Sequence, residues 1–105
     1  MKLTVYSNYG SEEKIISLNA SSDLVNLTMN SIDWKKFHQV VLTKSNGDYM
    51  EVGGNITDDG LSVMYEESGN QFIIIQPPTS VDQMTNILES YFLEDGKFKL
   101  ENKFS

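Results

Sequence analysis

The sequence has no cysteine and no arginine, and among its 105 residues there is one histidine, His38. Without cysteine there is no disulfide framework, no thiolate zinc site and no cysteine nucleophile. Without arginine the chain lacks the planar, bidentate group best suited to phosphates and base edges. His38 is the single side chain whose ordinary pKa serves acid–base work near neutrality. Reactive groups are scarce in a sequence that otherwise spells out turns and a helix cap, which points to a binding module rather than an enzyme. No stretch approaches the roughly 18 apolar residues of a spanning helix. Met1-Lys2-Leu3-Thr4-Val5-Tyr6 has neither the apolar region nor the small-residue cleavage site of a secretory signal. The protein is therefore expected in the cytoplasm.

What is present describes one folded unit. The hydrophobic fraction is 39% and the aromatic fraction 10%, spread along the chain, which separates it from disordered sequences of similar charge. The length fits a single domain over residues 1–105. Fifteen acidic residues against eight lysines leave a net charge of −7. Nucleic acid and anionic membranes are poor partners for such a surface, and a basic protein is a better one, because opposite fields speed encounter. The same charge also serves plain solubility.

From His38 onward the turns are explicit. Gln39-Val40-Val41-Leu42-Thr43 is β-branched and apolar, and Asn46-Gly47 is a strong hairpin signal. A two-residue type I′ turn there places Thr43 opposite Met50 and Val41 opposite Val52. That register gathers Val41, Met50 and Val52 on the core face, with Leu42, Lys44, Tyr49 and Glu51 on the other. Leu61-Ser62-Val63-Met64-Tyr65-Glu66 alternates as a half-buried strand. Gln71-Phe72-Ile73-Ile74-Ile75-Gln76 is a near-continuous apolar run, expected in a central strand covered on both faces. Pro77-Pro78 ends it, and Ser80-Val81-Asp82-Gln83 has the form of a capping box. The helix that follows carries Val81, Met84, Ile87, Leu88, Tyr91 and Phe92 on one stripe, with Gly96 as its stop. Lys97-Phe98-Lys99-Leu100-Glu101 alternates and reads as an edge strand or a segment draped over the core. In the first 37 residues, Leu3–Tyr6 and Lys14–Leu18 read as paired strands, and Asp33–Phe37 as a short helix capped by Ser31. The expected fold is α+β: an antiparallel meander sheet with a carboxyl-terminal amphipathic helix, about residues 80–93, packed on one face.

The chemistry-bearing patterns are few. His38 would need a carboxylate such as Asp33 or Asp48 and a hydroxyl nucleophile to act, and no Gly-x-Ser-x-Gly elbow supplies one. No catalytic residue and no cofactor is assigned. Asn55, Thr57, Asp59, Gly60 and Glu66 match EF-hand spacing, but the first two positions lack carboxylates and Leu61–Glu66 reads as a strand, so no metal site is assigned. Gly53-Gly54 has no following lysine and reads as a strand end or bulge, not a phosphate loop. What remains is surface: Asp48, Glu51, Asp58, Asp59, Glu66 and Glu67 would form one acidic rim if the loop ends cluster. Trp34, Tyr49 or Phe98 would then supply an aromatic anchor.

Residues 38 to 104 resemble the small immunity proteins of bacterial polymorphic-toxin and contact-dependent inhibition systems. The likeness lies in Met50-Glu51-Val52-Gly53-Gly54, Asp59-Gly60-Leu61-Ser62-Val63 with Tyr65, Ile75-Gln76-Pro77-Pro78-Thr79-Ser80, and the helix carrying Ile87-Leu88 and Tyr91-Phe92. The resemblance implies a non-enzymatic antitoxin that blocks a toxin domain, often a nuclease or deaminase, whose basic surface would suit an acidic rim. The alternative is a small-molecule-binding domain with an apolar pocket between sheet and helix, lined by Met50, Met64 and Met84.

Overall fold

A computed structural model describes residues 1–105. The chain runs β1 (Lys2–Ser7), β2 (Glu12–Ser17), α1 (Ser22–Ser31), β3 (His38–Thr43), β4 (Tyr49–Asn55), β5 (Gly60–Glu67), β6 (Asn70–Ile73), α2 (Val81–Leu93) and α3 (Lys97–Glu101). The strands form one antiparallel sheet in the order β2-β1-β3-β4-β5-β6, giving the expected α+β fold. α2 packs across β4 and β5 and against α1, so the helices share one face of the sheet. The core lies between these layers, where Leu3, Val40, Leu42, Met50, Val52 and Val63 meet Val25, Met29, Met84 and Leu88 with no exposed surface. No helix is long and apolar enough to cross a membrane.

The β3–β4 register differs by one residue from the expected one. Thr43 faces Tyr49, Leu42 faces Met50, and Val40 faces Val52. The cause is the turn: Gly47 N–H donates to the Lys44 carbonyl (3.0 Å) and Lys44 N–H to that of Asp48 (2.7 Å), a three-residue loop. Gly47 alone takes a positive φ, +95°, whereas a type I′ turn needs one at Asn46 as well. Asn46 Oδ1 instead accepts the Asp48 N–H (2.9 Å). One residue of slip exchanges the faces of β3, so Val40 and Leu42 enter the core while Val41 joins Glu51 on the opposite face.

α2 starts where its cap requires. Ser80 Oγ accepts the Gln83 N–H (3.1 Å) and the Gln83 side chain reaches back to the Thr79 N–H (3.0 Å). Ser80→Ala should cost about 1 kcal/mol, read as a melting temperature lower by about 4–8 °C in thermal unfolding followed by circular dichroism. The helix ends at Glu94, which takes the left-handed conformation expected of glycine and pairs with Lys44 (3.1 Å). Gly96 opens α3 instead. Asp95 Oδ1 accepts the Lys97 N–H (3.0 Å) and Ser90 Oγ accepts that of Phe98 (2.9 Å), and these bonds help start a short helix in the segment expected as an edge strand or a drape over the core.

β6 is an edge strand, not a central one. Its free side is closed by the tail: Ile73 and Ser105 exchange backbone hydrogen bonds (3.0 and 2.9 Å), and Ile75 N–H donates to Lys103 (2.9 Å). In the amino-terminal half, β1 and β2 pair as expected, but the helix does not lie where it was expected. α1 occupies Ser22–Ser31, capped by Ser21, and the segment after it is a turn in which Asp33 Oδ1 accepts the Lys35 N–H (3.1 Å). Ser31, expected as a cap, is the last residue of that helix.

Candidate functional site

Because both larger helices lie on one side, the opposite face of the sheet is open. Strand alternation decides what it shows. β1 contributes Lys2, Thr4 and Tyr6, β3 Gln39, Val41 and Thr43, β4 Tyr49, Glu51 and Gly53, β5 Ser62, Met64 and Glu66, and β2 adds Glu13 and Ile15 at the edge. A depression of about 420 Å³ occupies the middle of this face, walled by Tyr6, Gln39, Val41, Thr43, Tyr49 and Glu51. Val41 in its lining is 9% exposed, and Thr4 opposite Val41 on β1 is 2% exposed, although no helix covers them.

Glu51 sits at the centre of this face, between Val41 and Met64 on the neighbouring strands. Its carboxylate receives one hydrogen bond, from Gln39 Nε2 to Oε2 (3.2 Å). Gly53 is what lets Gln39 lie along the sheet to reach it, because a Cβ there would stand 2.8 Å from Gln39 Cγ and 2.8 Å from the His38 carbonyl oxygen. Burial pushes the Glu51 carboxyl above the usual range, and the Gln39 bond only partly opposes it. The Tyr6 phenol is also pushed up, first by burial, then by Glu13, then by Glu51. The site therefore holds a half-buried carboxylate and two tyrosines, with no salt bridge of its own among those the structure makes.

The other residues expected at the site are divided. Asp58 and Asp59 lie in the β4–β5 turn, whereas Asp48 lies beyond the other end of β4, about 20 Å away along the strand, together with Glu66 and Glu67. The acidic groups thus form two clusters flanking the open face, not one rim. Asp48 ties two turns together, accepting the Ser68 N–H at Oδ1 (3.1 Å). Asp59 accepts Asn55 Nδ2 (2.8 Å) and the Tyr9 hydroxyl (3.4 Å). Glu67 pairs with Lys99 (2.6 Å), and Glu66 faces Tyr49 across the strands. Trp34 is not available as an anchor: it is 5% exposed, and its indole N–H donates to the Met29 carbonyl (2.9 Å). Phe98 is 5% exposed as well.

Sequence reading missed Tyr6, Gln39 and Val41 as members of one face, and the signal for them was alternation in β1 and β3 once the register is known. It also missed the stack of Tyr9 on Phe37, with ring centroids 4.5 Å apart beside the β4–β5 turn. His38 Nδ1 donates to the Lys36 carbonyl (3.0 Å) rather than to Asp33 or Asp48, and its ring meets Trp34 edge-on at 6.1 Å. In the window with EF-hand spacing, Asn55 Oδ1 is occupied by the Asp58 and Asp59 N–H groups (2.7 and 2.9 Å), and Gly60–Glu67 is a strand. Met50 and Met84, expected to line a pocket between sheet and helix, are completely buried in close packing there, while Met64 lies on the other face. No protein-family model, curated protein or solved structure matches the chain.

Proposed function

We propose that this chain is a non-enzymatic immunity protein, an antitoxin-like module that blocks a basic partner domain by docking the open face of its sheet. The observation that carries this reading is the half-buried Glu51 carboxylate in a tyrosine-walled depression at the centre of a face no helix covers. Tyrosine and methionine are enriched at protein interfaces, and the centre of an interface is where most binding energy is concentrated. Tyr6, Tyr49 and Met64 provide that content here. The carboxylates at both ends of the face and the net charge of −7 favour a basic partner by steering its approach.

The experiment is a calorimetric titration against the carboxyl-terminal domain of a toxin encoded beside this protein, at low and high salt. One-to-one binding that weakens with salt is expected. Tyr49→Ala should weaken it by about 10-fold or more, as loss of a central aromatic does. Asp58→Lys with Glu66→Lys should weaken it by about 10-fold at low salt and much less at high salt, with the melting temperature unchanged. These two positions spare the turn bonds of Asp59 and the ion pair of Glu67. Absence of binding at either salt overturns the reading.

A further inference from the structure

The fold contains two sites in which a lysine, a glutamate and a tyrosine meet. Lys44 Nζ lies 3.1 Å from Glu94 and 4.9 Å from the centre of the Tyr91 ring. Lys99 Nζ lies 2.6 Å from Glu67 and 5.3 Å from the centre of the Tyr65 ring. In each, the ammonium takes a carboxylate on one side and the negative face of a ring on another. Glu51 with Tyr6 and Tyr49 repeats the carboxylate and the rings, but no lysine of the chain pairs with it.

We propose that the depression around Glu51 is the receptor for one basic side chain of the partner, a lysine ammonium or arginine guanidinium that enters between Tyr6 and Tyr49 and pairs with the Glu51 carboxylate. This rests on the reading of the open face as a docking surface. An ionised carboxylate can accept about four hydrogen bonds, and Glu51 receives one from the protein, at Oε2. Part of its desolvation cost is already carried by the free protein, so an incoming cation gains the pairing for a smaller added desolvation cost. The flanking tyrosines add a cation–π contribution and exclude water around the pair.

The raised Glu51 carboxyl gives a readout separate from binding. A group that holds its proton to higher pH in the folded state contributes stability that is present in acid and lost as pH rises through the raised value. Glu51→Gln removes that loss. It should raise the melting temperature at neutral pH, with a smaller gain in acid. The groups facing Glu51 are Tyr6 from β1 with Lys2 farther along the same strand, Glu13 on β2, Gln39 from β3, Tyr49 on its own strand, and the uncharged Met64 with Glu66 next along that face of β5.

The binding test titrates tetra-lysine and tetra-arginine peptides into the labelled full chain and follows amide chemical shifts, with an acetylated tetra-lysine peptide as the uncharged control. Shifts centred on Tyr6, Gln39, Val41 and Tyr49 are expected for the basic peptides, with affinity falling about 10-fold in Glu51→Gln and unchanged in Glu101→Gln on α3. Shifts scattered over both acidic ends and unaffected by Glu51→Gln would overturn the proposal. Failure of the docking reading looks different. A toxin domain that loses binding on Tyr49→Ala but not on Glu51→Gln keeps the face and rejects the basic side chain. A wild-type protein that binds the peptides at Glu51 but no toxin domain does the reverse.

Discussion

Gly54→Ala is expected to cost at least about 3 kcal/mol and to lower the melting temperature by about 12–24 °C. Gly54 has φ +120°, a conformation that residues with a Cβ rarely adopt. A Cβ built there would stand 2.0 Å from the Gly60 carbonyl oxygen and 3.1 Å from Leu61 Cα. Both obstacles are backbone of the paired strand, so no side-chain rotation relieves them. The sheet can accommodate the methyl only by opening β4 from β5 at Gly54–Leu61, which strips Leu61 from the core and loosens the Asn55 turn. Gly60→Ala is the control within the same hairpin. Its φ is +75° but open space surrounds the position, so the cost should be about 1 kcal/mol. Thermal unfolding of the two variants side by side checks this; equal melting temperatures would mean that β4 and β5 are not paired as described.

Trp34→Ala should destabilise the protein by about 3–5 kcal/mol. The indole is 5% exposed, its N–H closes the end of α1 on the Met29 carbonyl, and the Trp34 carbonyl accepts the Ile56 N–H of the β4–β5 turn (2.9 Å). Truncation leaves a cavity and an unpaired carbonyl at the junction of α1, β3 and that turn. Trp34→Phe keeps most of the volume and loses the hydrogen bond, so it should cost about 1–2 kcal/mol. Urea unfolding followed by circular dichroism separates the two. Any loss of partner binding in Trp34→Ala would therefore report unfolding and not a missing contact, the opposite of what an exposed anchor would give.

The elements legible in the sequence are those in which two signals coincide. α2 has a cap and a stripe that agree, and β5 has alternation bounded by Asp58-Asp59-Gly60 on one side and Gly69 on the other. β3 offers no such agreement. Val40, Val41 and Leu42 are all apolar, so the core face was left to the turn, and Asn-Gly fits both a two-residue and a three-residue loop. α1 was hidden by Asn, Ser, Thr and Asp, which prefer caps and turns, and only Val25, Thr28 and Met29 of it are buried. β6 looks central in sequence because Phe72, Ile73, Ile74 and Ile75 are all apolar, but only Phe72 and Ile74 pack on the core, Ile73 and Ile75 are exposed, and the tail supplies a pairing that no local pattern announces. At the candidate site Glu51 was legible as a carboxylate but not as a central one, since its neighbours follow from the register. Counting residues along β4 would have separated Asp48 from Asp58.

The strand order has a kinetic corollary. Four of the five strand pairings are hairpins between consecutive strands, and β1–β3 is the exception, with β2 and α1 lying between Ser7 and His38. Local closures are fast and cost little chain entropy, whereas a distant pairing must close its loop before its contacts reward it. Among the strand pairings, the seam between the amino-terminal hairpin and the carboxyl-terminal meander is thus the one of longest sequence separation, and the packing of α1 on α2 spans more of the chain still. Lengthening the β2–α1 connection would add only about 0.6 kcal/mol per doubling of the closed loop, so that connection bears on how fast the seam closes far more than on how stably it stands.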